Sequence, residues 1–291
     1  MDFRNGQELL NRCHEESLPI SDIMKLREMS NTNQSSDLIQ VKLETVLRIM
    51  KESVRKPIAK PSKSIGGLIG GEARKVSDHA LRGQSICGSI LSKAIAFSLA
   101  VLETNASMGL IVAAPTAGSS GVLPGTLLAA KEALELSDED LYKGLLNASA
   151  IGYLLMRNAS VSGAEAGCQA EVGAASAMAA SALVEMCGGT PEMCLEAATF
   201  ALSNLLGLVC DPIAGLVESP CQSRNAIGVA NAITSAEMVL SGVTQPIPFD
   251  EMAEAMLRVG RSLPFELRET AMGGCAGTPT GCALGCKICG N

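Results

Sequence analysis

Tryptophan is absent from this 291-residue chain, and aromatic residues make up only 2% of it. The core must therefore be built from Ala, Leu, Ile, Val, Met and Gly, whose small members let helix backbones approach closely. A basic excess is also missing: 23 Lys and Arg stand against 30 Asp and Glu, a net charge of −7. Without basic patches and stacking aromatics, no nucleic-acid partner is expected. Charged residues are scarce at 18%, and the mean hydropathy is positive, yet no apolar run reaches the ~18 residues of a membrane span. The run 172–184 is bounded by Glu171 and Glu185, 197–210 stops at Asp211, and the run ending at Leu102 lies between Lys93 and Glu103. These are expected to be buried helices of a soluble protein, with no membrane partner. The N-terminus MDFRNGQELLNRCHEES has no apolar core and does not read as a signal peptide. Eleven cysteines without an export signal point to reduced thiols in the cytoplasm rather than to disulfides.

Several catalytic signatures are missing too. There is no HExxH, no P-loop and no Rossmann fingerprint. Only two histidines exist; His14 lies on a polar helix, and His79 in SDHALRG is the better acid–base candidate, though a structural role suits it more. No alternating strand pattern and no solenoid-period repeat is found. The fold class that follows is mainly α, a helical bundle-like catalytic domain with glycine-rich loops.

Helix signals are plentiful. Leu43, Val46, Leu47 and Met50 recur at helical spacing, and Lys56-Pro57 is expected to end that helix. The stretch 57–82 reads as a Gly- and Ser-containing loop, a connector or a lid. Residues 85–103 are helical again. Ser137 with Asp140 forms a capping box opening a helix towards Met156. Thr190 and Pro191 open a helix ending near Leu206-Gly207, another runs from Ser223 to Leu240, and Asp250 is placed to cap a short helix through Val259. The division expected is 1–56, N-terminal helices packed on the body, and 57–291, the catalytic domain.

Two stretches carry chemistry. From Gly163 to Cys221, three cysteines sit at glycine or proline breakpoints: Cys168 among small residues, Cys210 before Asp-Pro and Cys221 after Ser-Pro. Cys187 and Cys194 lie between them, and Cys194 falls in a helical pattern that looks like packing. Three thiolates on separate loops can hold an iron–sulfur cluster with one iron left open, the position a Lewis acid needs. They can equally be buried free thiols, or hold a structural cluster or zinc. The second stretch, NASMGLIVAAPTAGSSGVLPG, sets hydroxyls and backbone N–H groups in a turn before a helix that begins near Val122, a place for a carboxylate or phosphate. A pyridoxal-phosphate enzyme with Lys63 as the Schiff base is a rival, opposed by the missing β-sheet. The spacing of Cys282, Cys286 and Cys289 matches a radical S-adenosylmethionine site, but only two residues follow it.

The segments NASMGLIVAAPTAGSSGVLPG, SGAEAGCQAEVGAASAMAA, LGLVCDPIAGLVESPC and ETAMGGCAGTPTG together resemble the alpha chain of iron–sulfur-dependent L-serine dehydratase, from about Gly66 to Gly281. The resemblance implies a [4Fe–4S] cluster on Cys168, Cys210 and Cys221, and an active-site loop of Thr116, Gly118, Ser119, Ser120 and Gly121. It implies deamination of L-serine to pyruvate and ammonia, with a cysteine desulfidase-type lyase as the alternative. It also implies a separate beta chain as partner, since the first fifty-odd residues are too few to supply one. The catalytic base is not named by any of these motifs. Cys275, Cys282, Cys286 and Cys289 depart from the pattern. Among the tail glycines they are expected to be mobile, with Cys289 or Cys286 placed to cap an open iron.

Overall fold

The computed structural model describes residues 2–290, and every regular element among them is helical. In chain order the α-helices are α1 (Gly6–Glu16), α2 (Ile20–Thr32), α3 (Ser36–Ala59), α4 (Glu72–Leu81), α5 (Gly88–Ala106), α6 (Val122–Leu134), α7 (Asp138–Asn158), α8 (Gly163–Ala166), α9 (Ala174–Met186), α10 (Pro191–Ser203), α11 (Cys221–Leu240), α12 (Phe249–Ser262) and α13 (Pro279–Cys289). Among the described residues, extended pairing is confined to an isolated parallel bridge between Cys210 and Arg268. The fold is mainly α, as its periodicities and missing strands lead one to expect.

The centre is α9, which buries every residue except Glu185. Its alanines and serines let α6, α7, α10 and α11 surround it. Removing apolar surface from water drives this packing, at about 25 cal/mol per Å² buried. The N-terminal helices share that core, because Phe3, Leu9, Ile23, Leu47 and Met50 belong to the same buried cluster as Leu127, Leu154, Ala177 and Leu202. No described helix is long and apolar enough to cross a membrane.

The local caps form where the sequence places them. Ser137 and Asp140 make the reciprocal capping box of α7. The Thr190 side chain accepts from Met193 N at the start of α10, which ends at Ser203, a little short of the expected stop. Four expectations are corrected. Helix α3 does not stop before Pro57 but continues to Ala59. Proline lacks the N–H that would bond Ser53 O, and the Thr104 hydroxyl donates to that carbonyl instead, at 2.7 Å. The 57–82 loop is shorter than expected, since 72–81 is α4. Asp250 does not cap its own helix: its carboxylate accepts from Gly6 N at 2.7 Å and Gln7 N at 3.2 Å, capping α1. The glycine-rich tail forms α13, capped by the Thr278 side chain on Gly281 N and packed on the turn Ile213–Gly215, with Cys282, Cys286 and Cys289 exposed.

Candidate metal centre and substrate loop

Cys168 follows α8 across Gly167, whose φ of +75° is one that L side chains rarely adopt and whose Cβ would meet Leu208 O. Residues 169–173 then form a π-turn into α9, a widened helical turn of the kind found at functional sites. The turn is tied to the chain beyond α10. Gln169 N donates to Leu208 O at 3.0 Å, and the Gln169 side chain accepts from Gly207 N at 2.8 Å. This brings the 207–210 segment alongside. The backbone of Cys210 is held from both sides, its N–H on Leu267 O and its carbonyl under Glu269 N.

The outcome is a compact donor group. The Cys168 and Cys210 sulfurs stand 3.8 and 3.7 Å from Glu171 Oε2, and ligand atoms of all three residues lie within 4.8 Å of one another. These three residues can hold a metal ion. Gly163 packs directly against this group without a side chain, since a Cβ there would stand 2.5 Å from Glu171 Oε2 and 3.0 Å from Cys210 Sγ. Both cysteines are buried, at 2% exposure each. Buried sulfur donors on separated segments, closely approached by a glycine that brings no side chain, fit an iron–sulfur group. Cys221, the first residue of α11, lies outside the 4.8 Å group.

Burial and crowding hold the acidic groups of this spot towards their protonated forms. Burial pushes the Glu171 carboxyl above its usual range, against the Thr116 hydroxyl, which favours the charged form. The Cys210 thiol is pushed far up by its Cys168 neighbour and by burial. Cys221 rises to about 12, through burial first and then the charges of Cys168 and Glu171. Such groups give up their protons when a metal takes their place. Arg224 supplies the local positive charge. Its Nη1 lies 3.5 Å from Cys168 Sγ, donates to Val209 O at 2.9 Å and pairs with Asp211 Oδ1 at 2.6 Å. Asp211 in turn accepts from Cys275 N at 2.5 Å, so the tail begins beside this site.

The PTAGSSG loop meets the same group. Thr116 Oγ1 donates to Glu171 Oε1 at 2.7 Å, and a Cβ on Gly118 would stand 3.1 Å from that oxygen. Asn225, one turn after Cys221, locks the loop: its Oδ1 accepts from Gly121 N at 3.0 Å, and its Nδ2 donates to Gly118 O at 2.8 Å. Of the five expected loop residues, Thr116 and Gly118 are half-buried and face Glu171, while Ser119, Ser120 and Gly121 are buried. The Ser119 hydroxyl lies 3.1 Å from Thr116 Oγ1, and Ser120 donates to Ala117 O, so both hydroxyls shape the turn. Helix α6 starts at Val122 as expected. A second carboxylate, Glu218, clasps the other glycine-rich stretch, accepting from the Ser64 hydroxyl, Gly66 N and Leu68 N. His79 and Lys63 are exposed, and His79 is not one of the grouped donors. The sequence reading missed Glu171, Asp211, Glu218, Arg224 and Asn225.

A profile of the family described as serine dehydratase alpha chain matches residues 15–276. The chain belongs to that family. A probable L-serine dehydratase alpha chain of Bacillus subtilis is 47% identical to it, over 99% of this chain and 96% of the relative. The L-serine dehydratase alpha chain of Peptoniphilus asaccharolyticus is 46% identical, over 96% of each. L-serine dehydratase 2 of Escherichia coli is 34% identical over 94% of this chain, which spans only 61% of that longer relative. In this chain the Thr116–Glu171 hydrogen bond directly links two of the four segments that resemble the family.

Proposed function

We propose that the chain deaminates L-serine to pyruvate and ammonia, with Cys168, Cys210 and Cys221 holding a [4Fe–4S] cluster. The observation that carries this is the convergence of Cys168, Cys210 and Glu171 with Thr116 of the glycine-rich loop, in a chain whose alpha-chain relatives are named for serine dehydration. When bound, the cluster supplies a Lewis-acidic iron that eases departure of the substrate hydroxyl.

The chain's own residues do the rest. The turn 116–121, with the N-terminus of α6 behind it, offers backbone N–H groups to the serine carboxylate, while the Thr116 hydroxyl ties the turn to Glu171. Asn225 holds that turn in register with Cys221. Arg224 keeps positive charge against Cys168. Loss of the α-proton and of hydroxide removes one water and leaves 2-aminoacrylate. One water returns in its hydrolysis to pyruvate and ammonia.

A companion beta chain completes the enzyme in this proposal, docking beside the glycine-rich loops. Ile65, Met108 and Leu110 are 69%, 79% and 69% exposed there, and Ile65 N bonds Ala106 O. An apolar patch of this kind suits a protein partner. A cytoplasmic location fits the free thiols, since all eleven cysteines are unpaired.

The test is anaerobic reconstitution with iron and sulfide, followed by pyruvate measurement with and without the beta chain. Four irons per chain, serine-dependent pyruvate in the complex and a serine-perturbed cluster spectrum are expected. A Cys210→Ser chain with a full cluster and full turnover overturns the ligand set. Pyruvate formation that is independent of iron overturns the mechanism.

A further inference from the structure

We propose that Glu171 is a metal ligand in its own right, and that Cys168, Glu171 and Cys210 form a mononuclear site for a thiophilic divalent cation in the cluster-free chain. The inference deepens the reading of this region as a metal centre, but it adds an oxygen donor and leaves out Cys221.

The geometry selects this trio. Glu171 Oε2 lies 3.8 Å from Cys168 Sγ and 3.7 Å from Cys210 Sγ, and all three donor atoms fall within 4.8 Å of one another, a grouping that does not include Cys221. The other carboxylate oxygen, Oε1, is already occupied by the Thr116 hydroxyl, so Oε2 is turned towards the sulfurs. Carboxylates commonly ligate with one oxygen and bond a supporting group with the other. The backbones are fixed before any metal arrives: Cys210 by Leu267 and Glu269, and Cys168 by the neighbouring bond from Gln169 to Leu208.

The chemistry of the donors then names the cation. Two thiolates and a carboxylate suit zinc or ferrous iron rather than magnesium or calcium, which take oxygen ligands. Three protein ligands leave a fourth tetrahedral position open to water. Arg224 pairs with Asp211 at 2.6 Å, and the trio, once a metal displaces its protons, carries three negative charges that a divalent ion neutralises in large part. Gly163 lies directly against the trio, where any added side chain would strike Glu171 Oε2 and Cys210 Sγ. Because Oε1 holds Thr116, occupancy of the site also fixes the substrate loop.

The experiment is a cobalt titration of the iron-stripped full chain under anaerobic, reducing conditions. The six exposed thiols, Cys87, Cys187, Cys275, Cys282, Cys286 and Cys289, are changed to Ser throughout so that they cannot compete. One tightly bound cobalt per chain is expected, with the visible bands of a tetrahedral ion and sulfur-to-cobalt charge transfer. Glu171→Gln keeps an acceptor for Thr116 but loses the anionic donor, and is expected to weaken cobalt at least about tenfold. Cys221→Ser is expected to bind cobalt like the parent. Far-ultraviolet dichroism confirms that each variant is folded, and Glu171→Asp, which retains a carboxylate on a shorter arm, should bind more tightly than Glu171→Gln. Unchanged cobalt affinity in folded Glu171→Gln overturns the inference, as does loss of the cobalt site in Cys221→Ser. The cluster assignment is tested separately by iron and sulfide counts on reconstituted Cys221→Ser: four irons retained there would sink the three-cysteine cluster while leaving the cobalt result untouched.

Discussion

Replacing Asn225 with Ala should separate the substrate loop from the cysteine helix. Asn225 is fully buried. Its side chain accepts from Gly121 N at 3.0 Å and donates to Gly118 O at 2.8 Å and to Cys221 O at 2.9 Å. Alanine leaves the buried Gly121 N–H without that acceptor, at a cost of about 1–3 kcal/mol, and removes two donor bonds worth about 0.5–1.5 kcal/mol each. The sum is about 2–6 kcal/mol, a large part of the roughly 5–15 kcal/mol that holds most domains together. At about 2 °C per kcal/mol for a chain of this size, the melting temperature should fall by roughly 4–12 °C. The loss should also be local. Amide exchange at residues 116–121 should rise well above that of α9, because the clamp is the loop's link to α11. In the complete enzyme, a loop displaced by about an ångström should lower kcat/KM on the order of 100-fold. Calorimetry, hydrogen exchange read by mass spectrometry and a pyruvate assay measure the three effects. An Asn225→Ala chain with the parental melting temperature and unchanged exchange in the loop would refute the reasoning.

Gly163→Ala should crowd the metal centre, since its Cβ would stand 2.5 Å from Glu171 Oε2 and 3.0 Å from Cys210 Sγ. Overpacking costs about 1–3 kcal/mol, and iron per chain after reconstitution should drop with it; full iron loading at the parental melting temperature would show that a side chain is tolerated there. Glu103→Gln should stabilise the protein, and more so at high pH. Glu103 is 1% exposed and one of its oxygens has no hydrogen-bond partner. Burial first, then the neighbouring Glu72, raise its pKa against the N–H groups of Ala73 and Gly71. A carboxyl raised in the folded state contributes fully below its unfolded pKa of about 4.3 and loses that contribution as pH climbs through the folded value. The amide escapes this loss and can donate towards Glu72, so melting should rise by roughly 2–6 °C at pH 8 and little at pH 5. Equal shifts at both pH values would place the cause elsewhere.

Interactions that close within a few residues could be read from the chain, and those that close across it could not. The caps at Ser137 and Thr190 are local, and both form as their spacing dictates. Asp250 carries the same kind of signal, but its carboxylate finds Gly6, 244 positions away. The stop expected at Pro57 fails for a related reason. A proline ends a helix when the carbonyl four residues back is left without a donor, and Thr104, 51 positions on, supplies one.

The candidate site divides along the same line. Its cysteines stand at glycine and proline breakpoints and draw attention to themselves, whereas Glu171 looks in sequence like the polar end of an apolar run. Buried polar groups must find partners, so an acid flanking an alanine-rich helix is already a signal that something waits to meet it. That signal does not reveal what the partner is. Glu185 bounds the same run at its other end and is also held largely out of water, its carboxyl raised chiefly by burial. Its oxygens are spent on Ser21 N and Asn147 Nδ2, so it caps α2, a helix whose own N-cap is a proline with no side-chain bond to offer. The two acids are alike in type, flank and titration. They differ in company: Glu185 faces an N–H and an amide, which it fully occupies, while Glu171 faces one hydroxyl and two thiols. A carboxylate oxygen beside two sulfurs is poorly served by weak S–H donors and well served by a metal that displaces their protons. That contrast makes Glu171 part of a site and Glu185 part of the scaffold.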